Sequence, residues 1–223
     1  MKLNLPSGAQ TRQEFARWKY VVVDEALPAD FLRECRTRAE ELTAFARSIQ
    51  RTEGEFRLVY RVMTGDVIQE RWPELFALYR DNVFPEWIRE VTGEDSIVTS
   101  SAIQSAVNLN IMQGDSIYRW HFDAIPYTLL LYLNDVLPDD GGALQLVPGC
   151  EPHKIPDLAT TSPIEVWPRA GTLVLMDGTR CYHHVAPLRR PMTRFSIPMV
   201  YPTAATAQQR PAGLDSYLYE STP

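Results

Sequence analysis

The stretch Tyr118-Arg119-Trp120-His121-Phe122-Asp123, followed by the apolar run Tyr127-Thr128-Leu129-Leu130-Leu131-Tyr132-Leu133, decides how the rest of the chain is read. Side chains at i and i+2 leave a β-strand on the same face, so His121 and Asp123 are expected to point together while Phe122 turns away. The run after them reads as a further strand, from Tyr127 to Asn134.

Outward from this pair of strands, everything past Glu94 consists of short apolar runs separated by glycine, proline and aspartate. The candidate strands are Ser105 to Met112, Ser116 to Asp123, Tyr127 to Asn134, Ala143 to Val147, Ile164 to Trp167, Thr172 to Met176, Cys181 to Ala186 and Thr193 to Tyr201. Turn-forming phrases fall between them: Gln113-Gly114-Asp115, Asp139-Asp140-Gly141-Gly142, Pro148-Gly149, Arg169-Ala170-Gly171 and Asp177-Gly178. Eight such strands suit a jelly roll.

The first part of the chain has a different texture. Residues 1–14 are polar and read as a loosely held lead-in, and Val21-Val22-Val23 reads as a short strand. Pro28 is placed to start a helix in which Phe31, Leu32, Cys35, Ala39, Leu42 and Phe45 recur at helical spacing to about Arg47. Glu55 to Met63 alternates as a strand, with Arg57 and Arg61 on its exposed face, before a turn at Thr64-Gly65-Asp66. Pro73 to about Val91 is helical, with Pro85 expected to kink or split it and Gly93 to stop it. After Pro202 the chain is small and polar and ends in Leu214, Tyr217, Leu218 and Tyr219, a tail that either packs as a lid or frays. The expectation is a mainly β fold with N-terminal helices: a helical and mixed region over 1–94, a β core over 95–203, and a tail or lid over 204–223.

Composition sets bounds on function. A chain of 223 residues, 45% hydrophobic and 22% charged, is an ordinary folded protein with room for one large core. A net charge of -6 argues against a general nucleic-acid footprint. The start Met1-Lys2-Leu3-Asn4-Leu5-Pro6 lacks the apolar segment of a secretory signal and no run is long enough to span a bilayer, so no membrane partner and a cytoplasmic location are expected. Cys35, Cys150 and Cys181 are far apart and without C-x-x-C spacing, and read as reduced thiols. All four histidines, His121, His153, His183 and His184, fall in the second half, which is where metal chemistry would belong.

An imidazole and a carboxylate on one strand face make two thirds of the facial triad that binds non-haem iron and leaves other positions open. The third ligand is expected from a distant strand, and His183 or His184 follows His121 by about sixty positions. Adjacent strand residues face opposite ways, so regular geometry admits only one of the two. Arg194 and Ser196 share a face by the same spacing, and a guanidinium with a hydroxyl beside it can grip a carboxylate. His153, between Pro152 and Pro156, reads as a surface residue, and Trp120 and Trp167 read as packing. Arg119 and Arg180 are candidates to meet an anionic substrate group.

In this order the pieces resemble the Fe(II)/2-oxoglutarate-dependent oxygenases over about Asn108 to Tyr201. The resemblance is carried by His121-Phe122-Asp123, by Leu131-Tyr132-Leu133-Asn134 to Gly141-Gly142-Ala143-Leu144, by Pro148-Gly149, by His183-x-Val185-x-Pro187 and by Arg194-Phe195-Ser196. It implies a double-stranded β-helix, the cupin-like jelly roll. His121, Asp123 and His183 would be the Fe(II) ligands, with His183 favoured because the family's H-x-V-x-P phrase opens with the ligand. Arg194 and Ser196 would hold the 2-oxoglutarate carboxylate. Asn110 matches a polar position that contacts the co-substrate in some relatives, whereas Met112 departs from the Tyr often found nearby. The implied reaction uses dioxygen, releases succinate and CO2, and hydroxylates a small molecule such as an amino acid or a natural-product intermediate. Phe56 to Ile68 and Pro73 to Gly93 are also similar to small oxygenases and halogenases that act on free amino acids. A halogenase of that kind gives up the carboxylate ligand, so Asp123 points to hydroxylation or another oxidation, with desaturation and ring formation left open by the sequence. Two other readings stand beside this one: a cupin-like zinc hydrolase or isomerase on the same ligands, and a catalytically inactive jelly-roll binding module. Oligomeric state is left open.

Overall fold

In the computed structural model, which describes residues 3–53, 56–114, 116–209 and 211–219, the chain alternates helices and strands before Thr92 and is almost all strand after Val107. The first part runs α1 (Ala9–Trp18), β1 (Tyr20–Val23), α2 (Ala29–Leu42), β2 (Arg47–Glu53), β3 (Phe56–Met63), α3 (Gly65–Arg71), α4 (Pro73–Arg80) and α5 (Val83–Thr92). A short α6 (Ile103–Ala106) leads into β4 (Leu109–Gln113), β5 (Tyr118–His121), β6 (Tyr127–Tyr132), β7 (Leu144–Val147), β8 (Ile164–Val166), β9 (Leu173–Asp177), β10 (Tyr182–Val185) and β11 (Thr193–Tyr201). Two short helices, α7 (Ala204–Ala207) and α8 (Leu214–Tyr219), follow.

The strands form a seven-stranded sheet, β1-β9-β6-β11-β4-β3-β2, and a four-stranded sheet, β5-β10-β7-β8. Every named pairing is antiparallel. Period-2 alternation divides the large sheet's side chains between two environments. Leu129 and Leu131 of β6, Leu173 and Leu175 of β9, and Phe195, Ile197 and Met199 of β11 join Phe15, Leu75, Tyr79 and Ile88 of the helices in one core. On the opposite face Leu130, Tyr132 and Val174 pack with Leu144, Leu146 and Val166 of the small sheet. Arg194 and Ser196 of β11 and Asn110 and Met112 of β4 also line the inner space. A one-residue slip of β11 would drive Arg194 into the aliphatic core, at a cost of several kcal/mol for an unpaired buried charge. The strand's register is therefore held by what it puts on each side.

The eight expected strands of the second half are present with trimmed ends, and the jelly-roll expectation holds. Several local expectations differ. The polar lead-in contains α1, which buries Thr11 and Phe15. Arg47, expected to close a helix, instead opens the edge strand β2. Gly65, read as a turn, is the first residue of α3, and a Cβ there would lie 1.9 Å from the Ile103 carbonyl oxygen, so only glycine fits. The stretch from Pro73 is split as expected, but the break falls at Asp81-Asn82, ahead of Pro85, which sits in the first turn of α5, where its missing N–H costs nothing. Ser105 belongs to α6 rather than to a strand. Three strands from the first 94 residues, β1, β2 and β3, are hydrogen-bonded members of the large sheet.

Candidate active site

The two short strands β5 and β10 pair so that His121 and His183 are direct cross-strand neighbours. Their imidazole rings lie 4.2 Å apart between centroids. Each Nδ1 sits 2.8 Å from the carbonyl oxygen two residues upstream, Arg119 for His121 and Cys181 for His183. With Nδ1–H donating there, each Nε2 is left as a lone-pair donor facing the same space.

Asp123 reaches that space from just beyond β5, not from within it. Its N–H donates to the Gly178 carbonyl at 2.9 Å and its Oδ2 accepts the Thr128 hydroxyl at 2.7 Å. Oδ1 then stands 3.4 Å from His121 Nε2 and 3.7 Å from His183 Nε2. The ligand atoms of His121, Asp123 and His183 all lie within 4.8 Å of one another, two imidazoles and a carboxylate grouped as one metal ion requires. Gly178 closes on the carboxylate so tightly that a Cβ would sit 2.3 Å from Oδ2.

Electrostatics sort the protonation states. Burial pushes the Asp123 carboxyl up, but His183, His121 and the Thr128 hydrogen bond outweigh it and hold the group well below the usual carboxylate range. Burial, and then the His121 ring, lower His183 to about 4 despite the pull of Asp123. Near neutral pH the cluster therefore offers an ionised carboxylate and a neutral His183, the forms that bind metals.

His184 points the other way on β10. Its Nε2 lies 2.6 Å from Gln145 Oε1 and its ring stacks on Trp120 at 4.0 Å, so it packs the outer side of the small sheet. Trp120 is a packing residue, as expected.

A cavity of about 150 Å³ runs from the triad to Arg194. The Arg194 side chain is among the most buried in the protein, at 1% exposure. Nη1 donates to Ser196 Oγ at 3.1 Å and touches Met112 Sδ at 3.4 Å, whereas Nε and Nη2 are buried without an acceptor. The Tyr132 ring lies 5.0 Å from the guanidinium carbon, and its hydroxyl lies beside the guanidinium, whose charged form it favours. A buried cation with donors to spare and no counter-ion among the described residues calls for an anion of matching geometry. Asn110, cross-strand from Ser196, lines the same cavity.

Other residues of this cavity carried no clear signal in the sequence. Tyr60 comes from β3, Tyr118 from β5, and Leu218 and Tyr219 from α8. Tyr219 donates to Asn108 Oδ1 at 2.7 Å and Tyr60 donates to the Leu218 carbonyl at 3.2 Å, which ties the tail over the site. Of the arginines singled out, Arg61 is occupied by the Thr43 carbonyl, and the Arg57 side chain lies outside the described residues. Arg119 lines a second cavity beside the triad, which Arg180 does not reach. His153 is exposed, edge-on to Phe122.

A sequence model of the family described as HalD, Halogenase D, matches residues 5–215. The chain belongs to the halogenase D family. This member keeps a carboxylate, Asp123, among the candidate ligands. Several solved structures are similar to it. One is SnoK, a non-heme alpha-ketoglutarate-dependent carbocyclase from nogalamycin biosynthesis, at 17% identity and TM-score 0.71 over 91% of this chain and 87% of that one. Another is HygX from Streptomyces hygroscopicus with nickel and 2-oxoglutarate bound, at 15% identity and TM-score 0.65 over 89% of this chain and 88% of that one. A third is a Pseudomonas putida prolyl-4-hydroxylase, at 19% identity and TM-score 0.62 over 87% of this chain and 97% of that one. At these identities the shared property is the fold alone, a jelly roll. No curated protein sequence matches the chain. No helix among the described residues is long and apolar enough to cross a membrane.

Proposed function

We propose that this halogenase D family member is a cytoplasmic non-haem Fe(II)- and 2-oxoglutarate-dependent oxygenase that hydroxylates a small metabolite, such as an amino acid or a natural-product intermediate, releasing succinate and CO2. Residues 95–203 carry the candidate ligands and the buried arginine, and β1, β2 and β3 from the first 94 residues complete the same sheet. The reading is carried by Arg194, a fully buried guanidinium with two unanswered N–H groups in the same cavity as two imidazoles and a carboxylate.

His121, Asp123 and His183 would hold the Fe(II), and Arg194, Ser196 and Asn110 the far carboxylate of the keto acid. When bound, the metal and the keto acid supply the activation of dioxygen. The chain's own residues position and shelter. Arg119 and Cys181 fix the tautomers of the two ligand rings through their carbonyls, and Thr128 and Gly178 fix the carboxylate. Leu130, Leu144 and Val185 line the cavity between metal and arginine and keep water from competing for the guanidinium. Asp123 favours hydroxylation over halogenation, because its carboxylate stands where a halide would otherwise bind the metal.

The test is an anaerobic titration with Fe(II) and 2-oxoglutarate, followed by a substrate screen in air scored on succinate. His121→Ala and Asp123→Ala are expected to abolish turnover, and Arg194→Ala to weaken 2-oxoglutarate chiefly. Full activity in either ligand variant, or activity on zinc alone, defeats the reading. Halogenated product from the wild type defeats the hydroxylase part of it.

A further inference from the structure

We propose that Trp120 and His184 are positioning residues of the metal site: stacked on the outer side of the small sheet, they clamp β5 to β10 and so set His121 against His183. This inference rests on the assignment of those two histidines as ligands and accounts for how an edge strand holds one of them.

The backbone alone holds it poorly. β5 is an edge of the small sheet and, among the described residues, pairs there with β10 alone. The register pairs are His121 with His183 and Tyr118 with Val185, which leaves two residues of β5, Arg119 and Trp120, opposite the single His184. A bulge of this kind leaves the extra residue without a ladder partner and re-aims side chains around it. Tyr118 and His121 are three apart and would leave opposite faces of a regular strand, yet both line the cavity of the triad. The irregularity that turns both side chains inward also disrupts the ladder of the strand that carries the ligand.

Ring contacts make up the loss. The two chain neighbours of His121, Trp120 and Phe122, both lie against Tyr182, with centroids 5.2 and 4.9 Å apart. Trp120 also stacks on His184 at 4.0 Å, with the planes 21° apart. The His184 ring is itself held, because its Nε2 lies 2.6 Å from Gln145 Oε1 and Gln145 Nε2 donates to Glu165 Oε1 at 2.6 Å. An ionised carboxylate only accepts, so the Gln145 amide is oriented, its oxygen faces His184, and the His184 proton sits on Nε2. His184 and Gln145, and then Gln145 and Glu165, are direct cross-strand neighbours. One row of side chains thus crosses the sheet from β8 to β5 and ends in a stack immediately behind the ligand pair. His184 points away from the metal and serves it from behind.

Anaerobic calorimetric titration with Fe(II), without keto acid, tests this. Trp120→Leu is expected to weaken Fe(II) binding about 10-fold, the worth of its ring contacts, and Trp120→Phe, which keeps a flat ring, to retain most of the affinity. His184→Leu should cost a comparable factor, and the double variant no more than Trp120→Leu alone, because the two rings act as one contact. In the metal-free protein, amide exchange over residues 118–121 should quicken in Trp120→Leu. Trp87→Phe is the control: it removes a hydrogen bond to the Pro6 carbonyl in the helical layer, so its urea midpoint falls while Fe(II) affinity holds. Unchanged affinity in Trp120→Leu, an equal loss in Trp87→Phe, no recovery with phenylalanine, or fully additive losses in the double variant each overturns the inference. His184→Leu carries the same test should Trp120→Leu fail to fold. Wild-type protein that binds no Fe(II) overturns the ligand assignment as well, a failure told apart because the wild type alone displays it.

Discussion

At the scale of single residues, the least conspicuous participant is Gly178. Its α-carbon occupies the space where any side chain would meet the Asp123 carboxylate. Gly178→Ala is expected to displace that ligand and lower metal affinity about 10- to 100-fold, the usual cost of disturbing an outer support, while far-UV circular dichroism stays unchanged. Unaltered affinity would mean that Asp123 can move without loss. His183 gives a pH prediction for the metal-free protein. Its folded value near 4 lies below the ordinary 6.5, because burial disfavours the charged ring. Above pH 6.5 the ring is neutral folded or unfolded and stability does not depend on it. As pH falls from 6.5 to 4 only the unfolded chain takes up the proton, so stability should drop, by up to about 3 kcal/mol from this residue. Urea midpoints measured from pH 7.5 to 4.5 check this, and a flat profile contradicts it. Histidine and carboxylate spacing made His121 and Asp123 readable in the sequence and narrowed their partner to His183 or His184, and the family's H-x-V-x-P phrase favoured His183. Gly178 and Thr128 were not, because their roles depend on a loop folding back over a strand end.

At the scale of elements, the eight strands of the second half were legible as short apolar runs bounded by turn residues, β6 and β9 being buried along almost their whole length. The elements missed are those with little to bury. α1 places only Thr11 and Phe15 inside, and β2 is an edge strand whose polar sequence, Arg47-Ser48-Ile49-Gln50-Arg51, hides its period. Likewise, β5 ends at His121, so Asp123 is aimed by hydrogen bonds to Gly178 and Thr128 and not by strand geometry. α8 is held over the site by side chains, among them Tyr219 on Asn108 and Arg51 on the Ser216 carbonyl. Tyr219→Phe should therefore lower unfolding free energy by about 1 kcal/mol, the net worth of one buried hydrogen bond, and leave metal affinity as it was. A loss of metal binding in that variant would make the tail part of the ligand cage and not its roof.

For the whole molecule, the site is a joint between two sheets, and ligands that bridge them should brace it. Fe(II) and 2-oxoglutarate at about 100 times their dissociation constants would each add roughly 2.7 kcal/mol. For a chain of this length that is an increase in Tm of about 5 to 10 °C per ligand. Arg194→Ala should lose the 2-oxoglutarate increment and keep the metal's, as read by scanning calorimetry with each ligand alone and with both. Loss of both increments together would show that the two ligands depend on one undivided unit. Their supports are in fact unequal. Arg194 rises from the nine-residue β11, paired with β4 along Thr193–Ser196 and with β6 from Ser196 on, whereas His121 sits on β5, a four-residue edge strand joined to β10 through two register pairs with an irregularity between them. The rim that would carry the ion is then free to breathe while the wall proposed to anchor the diacid stays closed. Amide deuterium uptake should accordingly reach residues 118–121 long before 194–200, and a chelator should strip the iron from a protein that never unfolds.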